Sequence, residues 1–256
     1  MRETERNWIT EIIWTILFGV AGLVAAALWI GNRKEAADGW ETAAKLLPLL
    51  FILAAAAVLR RWKSLKFSKK NWHIIFTKGW YIFLAGMILA GLFLLSAPTE
   101  TYRYFSFPAL GLFMAGCILT AVFEEIMCRG LIQNILCERM KEPWHAIVIS
   151  SAIFALLHFL NLVGKPYFLV GTTVQVLYTF ALGTLFAVSY EKSKNLWVPV
   201  ILHAVFNMLG SIGDIFLVPN SGAGAAVKAD LSVSGAILQL VIILPGIYFA
   251  YKGQRK

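Results

Sequence analysis

The feature that most restricts this chain is a recurrence of runs about twenty residues long with no charged side chain: Ile12–Ile30, Gly79–Thr99, Tyr104–Phe123, Pro143–Gly164, Pro166–Tyr190, Asn195–Gly213 and Leu231–Tyr251. Thr42–Leu59 is an eighth, interrupted only by Lys45, whose long side chain can carry its ammonium to the interface. A bilayer core of about 30 Å is crossed by ~20 apolar helical residues. Composition points the same way: 59% of residues are hydrophobic and 14% charged, against about 45–50% and about 25% in ordinary soluble domains. The expectation is an all-α, polytopic membrane protein, a bundle of about eight transmembrane helices. Eight such helices use up most of the 256 residues and leave no room for a soluble domain.

The net charge of +9 first suggests a nucleic-acid partner, but its distribution argues against one. With the N-terminus inside and eight spans threaded, the inner segments hold sixteen Lys and Arg, seven of them in RRWKSLKFSKKNWHIIFTK. The outer loops hold five: Arg33, Lys34, Arg103, Lys165 and Lys228. The opposite threading breaks the positive-inside rule. Both termini are therefore expected in the cytoplasm, with membrane lipids as partners and no nucleic acid. Segment 60–78 reads as a juxtamembrane anchor for anionic lipid. The first apolar run is longer than the 7–15 residues of a signal-peptide core and is read as a retained helix.

Cys117, Cys128 and Cys137 form an odd set without loop spacing, so a disulfide framework is not expected and small buried hydrophobes are. Loops are short and marked by Pro, Gly and charge, as in CERMKEPW and EKSKN. The longest, GDIFLVPNSGAGAAVKADLSVSG, is rich in Gly, Ala and Ser. Neither a solenoid repeat nor an inverted duplication of the transporter kind is visible.

Three polar clusters interrupt the spans. In AVFEEIMCRGLIQ, Glu124 and Glu125 are adjacent and so point about 100° apart, toward different neighbours. Glu125 stands four residues before Arg129, the favourable order for an intrahelical ion pair, which leaves Glu124 without a local partner. FALLHFLN supplies Phe154, His158 and Asn161, and HAVFN places His203 and Asn207 on one helical face. A lone histidine in a span is more often a hydrogen-bonded core residue, and a His/Asn pair can merely fasten helices together. Charge within a span is costly and by default marks a functional site. At ~1.5 Å rise per residue, Glu124 lies about 21 Å from the loop at Glu138 and His158 about 22 Å from Pro143. His203 and Asn207 lie about 10 and 16 Å beyond Leu196. Antiparallel helices would hold Glu124 and His158 at matching depth, with His203 and Asn207 somewhat shallower and within reach through helix tilt.

EEIMCRG, FALLH and HAVFN resemble, in order and approximate spacing, the E-E-x-x-x-R, F-x-x-x-H and H-x-x-x-N motifs of the CAAX-protease and bacteriocin-processing (Abi) family, intramembrane glutamic endopeptidases that include the Ras-converting enzymes. The resemblance covers roughly residues 104–215; residues 1–100 hold helices without a diagnostic motif, and 101–256 hold the motif-bearing core and the last helix, as one membrane unit. It implies that Glu124 and His158 activate a water, that His203 and Asn207 form an oxyanion hole, and that Glu125 and Arg129 support them. It implies no cofactor and no metal, and a peptide or protein substrate, lipidated or not. The same residues leave other readings open: a zinc protease using Glu124, His158 and His203, a transporter or proton relay, and a non-catalytic scaffold or immunity protein.

Overall fold

The computed structural model describes residues 7–31, 38–96, 107–163, 169–212 and 235–255, and every regular element among them is helical. A backbone that has no water to bond within a bilayer must satisfy its N–H and C=O groups inside one helix, and that is the solution adopted here. The longer elements are α1 (Trp8–Gly31), α2 (Asp38–Ala44), α3 (Leu46–Val58), a short α4 (Ile74–Thr77), α5 (Trp80–Ser96) and α6 (Phe107–Glu125). A π-helix (Ile126–Gln133) continues α6 into α7 (Asn134–Cys137). Then follow α8 (Pro143–Leu157) with a 3₁₀ extension (His158–Leu162), α9 (Leu169–Ser193) and α10 (Trp197–Gly210). The last span, α11 (Gly235–Arg255), turns at Leu244 and Pro245.

Among the described residues, six helices are long and apolar enough to cross a membrane: Trp8–Gly31, Gly39–Val58, Phe107–Cys137, Pro143–Leu162, Leu169–Ser193 and Gly235–Arg255. The apolar stretches Trp80–Leu92 and Trp197–Gly210 are shorter. The fold is an all-α polytopic membrane bundle, and among the described residues its six long spans and two shorter apolar helices correspond to the eight apolar runs. The glycine-rich segment 213–234 lies outside the described residues, as do Arg2, Arg6, Arg33, Lys34, Arg103, Lys165, Lys228 and Lys256.

Small residues decide which helices approach. A Cβ on Gly22 would stand 2.5 Å from Pro48 Cα, and one on Gly19 2.6 Å from Met127 Sδ. Those two glycines let α1 press against α3 and the π-helix, the close packing that substitutes in lipid for a hydrophobic driving force. One core joins Ile12, Ile52, Phe123, Leu131, Ile135 and Val200, and so fuses the first helices to the later ones. A second gathers Ile82, Ile147, Leu185, Phe186, Leu202 and Ile243 from α5, α8, α9, α10 and α11.

The basic loops meet at one end of the bundle. Lys66 O accepts from Leu196 N at 2.8 Å, Asn195 Oδ1 accepts from Ser68 N at 3.2 Å, and Lys192 Nζ donates to Gln254 O at 2.7 Å. Arg61 Nη2 binds Glu11 Oε2 at 2.5 Å and its Nη1 binds Glu138 Oε1 at 2.7 Å, tying α1 to the end of α7. Partial burial opposes the Arg61 charge, but its bonds to Glu138 and Glu11 outweigh that and raise its affinity for the proton above the ordinary arginine value. Helix α3 closes with Arg60 in the left-handed region at φ 53°, while Arg61 N reaches back to Ala56 O and Arg60 N to Ala57 O, a Schellman arrangement.

Gly22→Ala places its methyl against backbone, which cannot swing aside. The expected cost is about 1–3 kcal/mol, read as a lower thermal midpoint of the purified protein; an unchanged midpoint would show that α1 is not packed on α3 as described.

Candidate active site

The polar residues of α6 sit where the helix widens. Residues 126–133 are π-helical, a form that is rare and often found at functional sites. Its loosened carbonyls are served by Asn134, whose Nδ2 lies 3.1 Å from Arg129 O and 2.9 Å from Gly130 O, and also 2.7 Å from Tyr190 Oη. Arg129 and Gln133, one turn apart, both donate to α9: Arg129 Nη2 to Gly183 O at 2.7 Å and Gln133 Nε2 to Ala187 O at 3.2 Å.

Glu125 and Arg129 form the expected ion pair, at 3.0 Å, with both side chains fully buried. The arginine also lies over the rings of Phe154 (4.8 Å) and Phe186 (5.6 Å), which supply cation–π contact. Gly183 makes room for this arrangement, since a Cβ there would be 2.9 Å from Phe154 Cδ1 and 3.3 Å from Arg129 Nη2. Arg129 Nε and Glu125 Oε2 are buried with no hydrogen-bond partner.

The expectation that the two glutamates face different neighbours is corrected: both meet His203. Its Nδ1 is 2.8 Å from Glu125 Oε1, and its Nε2 is 3.5 Å from Glu124 Oε2. Side chains 100° apart on one helix can converge because the two ring nitrogens of a single imidazole diverge as well. Glu125 is wholly buried, whereas 21% of the Glu124 side chain remains accessible. An ionised carboxylate only accepts, so the hydrogen of that 2.8 Å contact belongs to His203 Nδ1.

His158 ends α8. Its Nδ1 is 3.0 Å from Phe154 O, and a carbonyl only accepts, so Nδ1 carries the hydrogen and the lone pair of the neutral ring is on Nε2. The Phe154 ring meets both histidines edge to face, with centroids 5.1 Å from His158 and 5.8 Å from His203. Phe186 stacks on His203 at 4.8 Å. A cavity of about 180 Å³ is lined by His158, His203 and Asn207, with Phe154, Phe186 and Phe206 as its aromatic wall. Glu124 is outside that lining and touches it through His203. Glu124 and His158 make no direct bond to one another. The Asn207 carboxamide bonds no protein group among the described residues. Asn161, noted beside His158, bonds Gln175 instead.

Among the described residues, no three His, Cys, Asp or Glu side chains come close enough to share a metal ion, so Glu124, His158 and His203 are not assembled as a zinc ligand set. Cys117 and Cys128 are buried thiols and Cys137 is half-buried, with Sγ 3.8 Å from Glu191 Oε2. Sequence reading missed Gln133, Gly183 and Phe186. Gln133 was findable, because it repeats the face of Glu125 and Arg129 at a further four residues; Gly183 and Phe186 carry no local signal.

Arg129→Ala leaves Glu125 and Gly183 O without their cation in a sealed interior. A loss of about 3–5 kcal/mol is expected, seen as a collapse of detergent-solubilised, monodisperse protein in size exclusion. Arg129→Lys restores only part of it, since one ammonium lacks the two-pronged reach of a guanidinium. Wild-type behaviour of Arg129→Ala would mean that the pair does not hold the helices.

Residues 106–209 fit the family model described as type II CAAX prenyl endopeptidase Rce1-like, a stretch that contains Glu124, Glu125, Arg129, His158, His203 and Asn207. No curated protein and no solved structure matches the chain. Over residues 106–209 the chain is similar to the CAAX-protease family.

Proposed function

We propose that the chain is an intramembrane endopeptidase of the glutamic type, cleaving peptide or protein tails at the membrane with water as nucleophile and no metal. The observation that carries the reading is the cavity in which His158, His203 and Asn207 meet, with Glu124 against His203. Glu124 is the partly accessible carboxylate of the pair, and His158 offers an unoccupied Nε2 beside the same space. Together they hold a water, and Glu124 takes its proton as the oxygen attacks the scissile carbonyl. The Asn207 carboxamide and a hydrogen on His203 Nε2 receive the negative charge that develops on the carbonyl oxygen. Glu124 then returns its proton to the departing amine, which closes the proton balance.

Glu125 and Arg129 act one step back. Glu125 accepts from His203 Nδ1 and so turns Nε2 toward Glu124 and the cavity, while Arg129 neutralises Glu125. The excess of positive charge at the basic end of the bundle, with its Lys192–Gln254 and Arg61–Glu138 contacts, supports a cytoplasmic position for that end.

Glu124→Gln and His158→Ala should each abolish cleavage of a membrane-presented peptide while the protein stays folded and inserted. Asn207→Ala should lower kcat by about 10²–10³ with a smaller change in KM. A chelator such as EDTA should leave the rate unchanged. The assay is quenched-fluorescence hydrolysis by purified protein in bilayers; full activity in both Glu124→Gln and His158→Ala, or loss to EDTA with recovery on zinc addition, sinks the proposal.

A further inference from the structure

The cavity does not stop at the motif residues. It continues to Gln175 and Tyr178 on α9 and to Gln239 on α11, none of which belongs to the three motifs. Two carboxamides from different helices on one intramembrane cavity are unusual, because each polar group left unbonded there costs free energy. Gln175 is held in place: its Oε1 accepts from Asn161 Nδ2 at 3.2 Å. The Gln239 carboxamide bonds no protein group among the described residues. A carboxamide offers a donor and an acceptor together, the complement of a peptide N–H and C=O.

Hydrogen bonding and charge narrow what can lie between them. In an α-helical turn the backbone amides are already bonded within the helix and cannot pair with a carboxamide. The occupant therefore enters as an extended strand with its amides uncovered. Apart from its two histidines, the described lining has no ionisable group but Tyr178, and no Lys, Arg, Asp or Glu. A charged side chain would enter without a partner.

We propose that Gln175 and Gln239 clamp the backbone of an extended, uncharged stretch of substrate next to the scissile bond. The proposal rests on the hydrolase reading above and names the substrate form that its site accepts. Gln239 bonds the chain directly, and Gln175 does so from a side chain already oriented by Asn161.

The test measures binding apart from cleavage. Full-length protein carrying Glu124→Gln, in lipid nanodiscs, is titrated with a fluorescein-labelled, farnesylated peptide ending in Cys-Val-Leu-Ala and followed by anisotropy. Adding Gln239→Met or Gln175→Met, which removes hydrogen bonding at nearly constant volume, should weaken binding about 5- to 10-fold, the size of one net hydrogen bond. Methylating the backbone nitrogens of the last three residues should weaken binding to the Glu124→Gln protein but have much less effect once Gln239→Met is present, a coupling that a merely structural glutamine would not show. Lysine in place of the valine should weaken binding at least tenfold. Unchanged affinity in both glutamine variants overturns the clamp, as does failure of the Glu124→Gln protein to bind the peptide at all. Hydrolysis of the same peptide by protein with Glu124 intact separates the two ideas. Binding through the glutamines without any cleavage removes the hydrolase reading and leaves the clamp, whereas cleavage with KM indifferent to both Gln→Met changes removes the clamp and leaves the hydrolase.

Discussion

The Glu125–Arg129 pair is the interaction on which the site rests. Both side chains are sealed from solvent at 3.0 Å separation, and neither charge would be tolerated there without the other. From this pair the remaining contacts fan out. Arg129 reaches the α9 backbone at Gly183 and lies against Phe154 and Phe186, and Glu125 reaches across to His203 on α10. One ion pair thus sets the spacing of four helices and the orientation of an imidazole.

The π-helix explains how so much polarity fits on so short a stretch. Widening the turn spreads Arg129 and Gln133 toward α9 while Asn134 serves the carbonyls left behind. The neighbouring glutamates differ in exposure. Glu125 is dry and paired, and Glu124 is partly accessible. The aromatic wall of Phe154 and Phe186 then holds both histidine rings without offering them competing hydrogen bonds.

Much of this was legible in the residues. Charge-free runs of bilayer length gave a helical membrane bundle because a spanning backbone has few alternatives. The i, i+4 spacing of Glu125 and Arg129 predicted their pairing, since that interaction is local. The shared partner of the two glutamates was not predictable in the same way. Angular spacing on one helix says where side chains leave the axis; it is silent on a His203 seventy-eight residues away whose ring has two nitrogens to offer. Gly183 and Phe186 were equally silent, because a glycine or a phenylalanine in a span has no meaning until a neighbour is placed against it.

Local chemistry thus wrote the fold class, the ion pair and the list of polar groups that a membrane interior would not carry idly. Convergence was settled by packing: which glutamate is sealed and which open, how His158 and His203 flank Phe154, and that Gln175 and Gln239 border the same space. Those facts depend on distances between helices far apart along the chain, which small residues such as Gly19, Gly22 and Gly183 set by allowing close approach. Periodicity records a helix's own faces and carries no information about the separation between two of them.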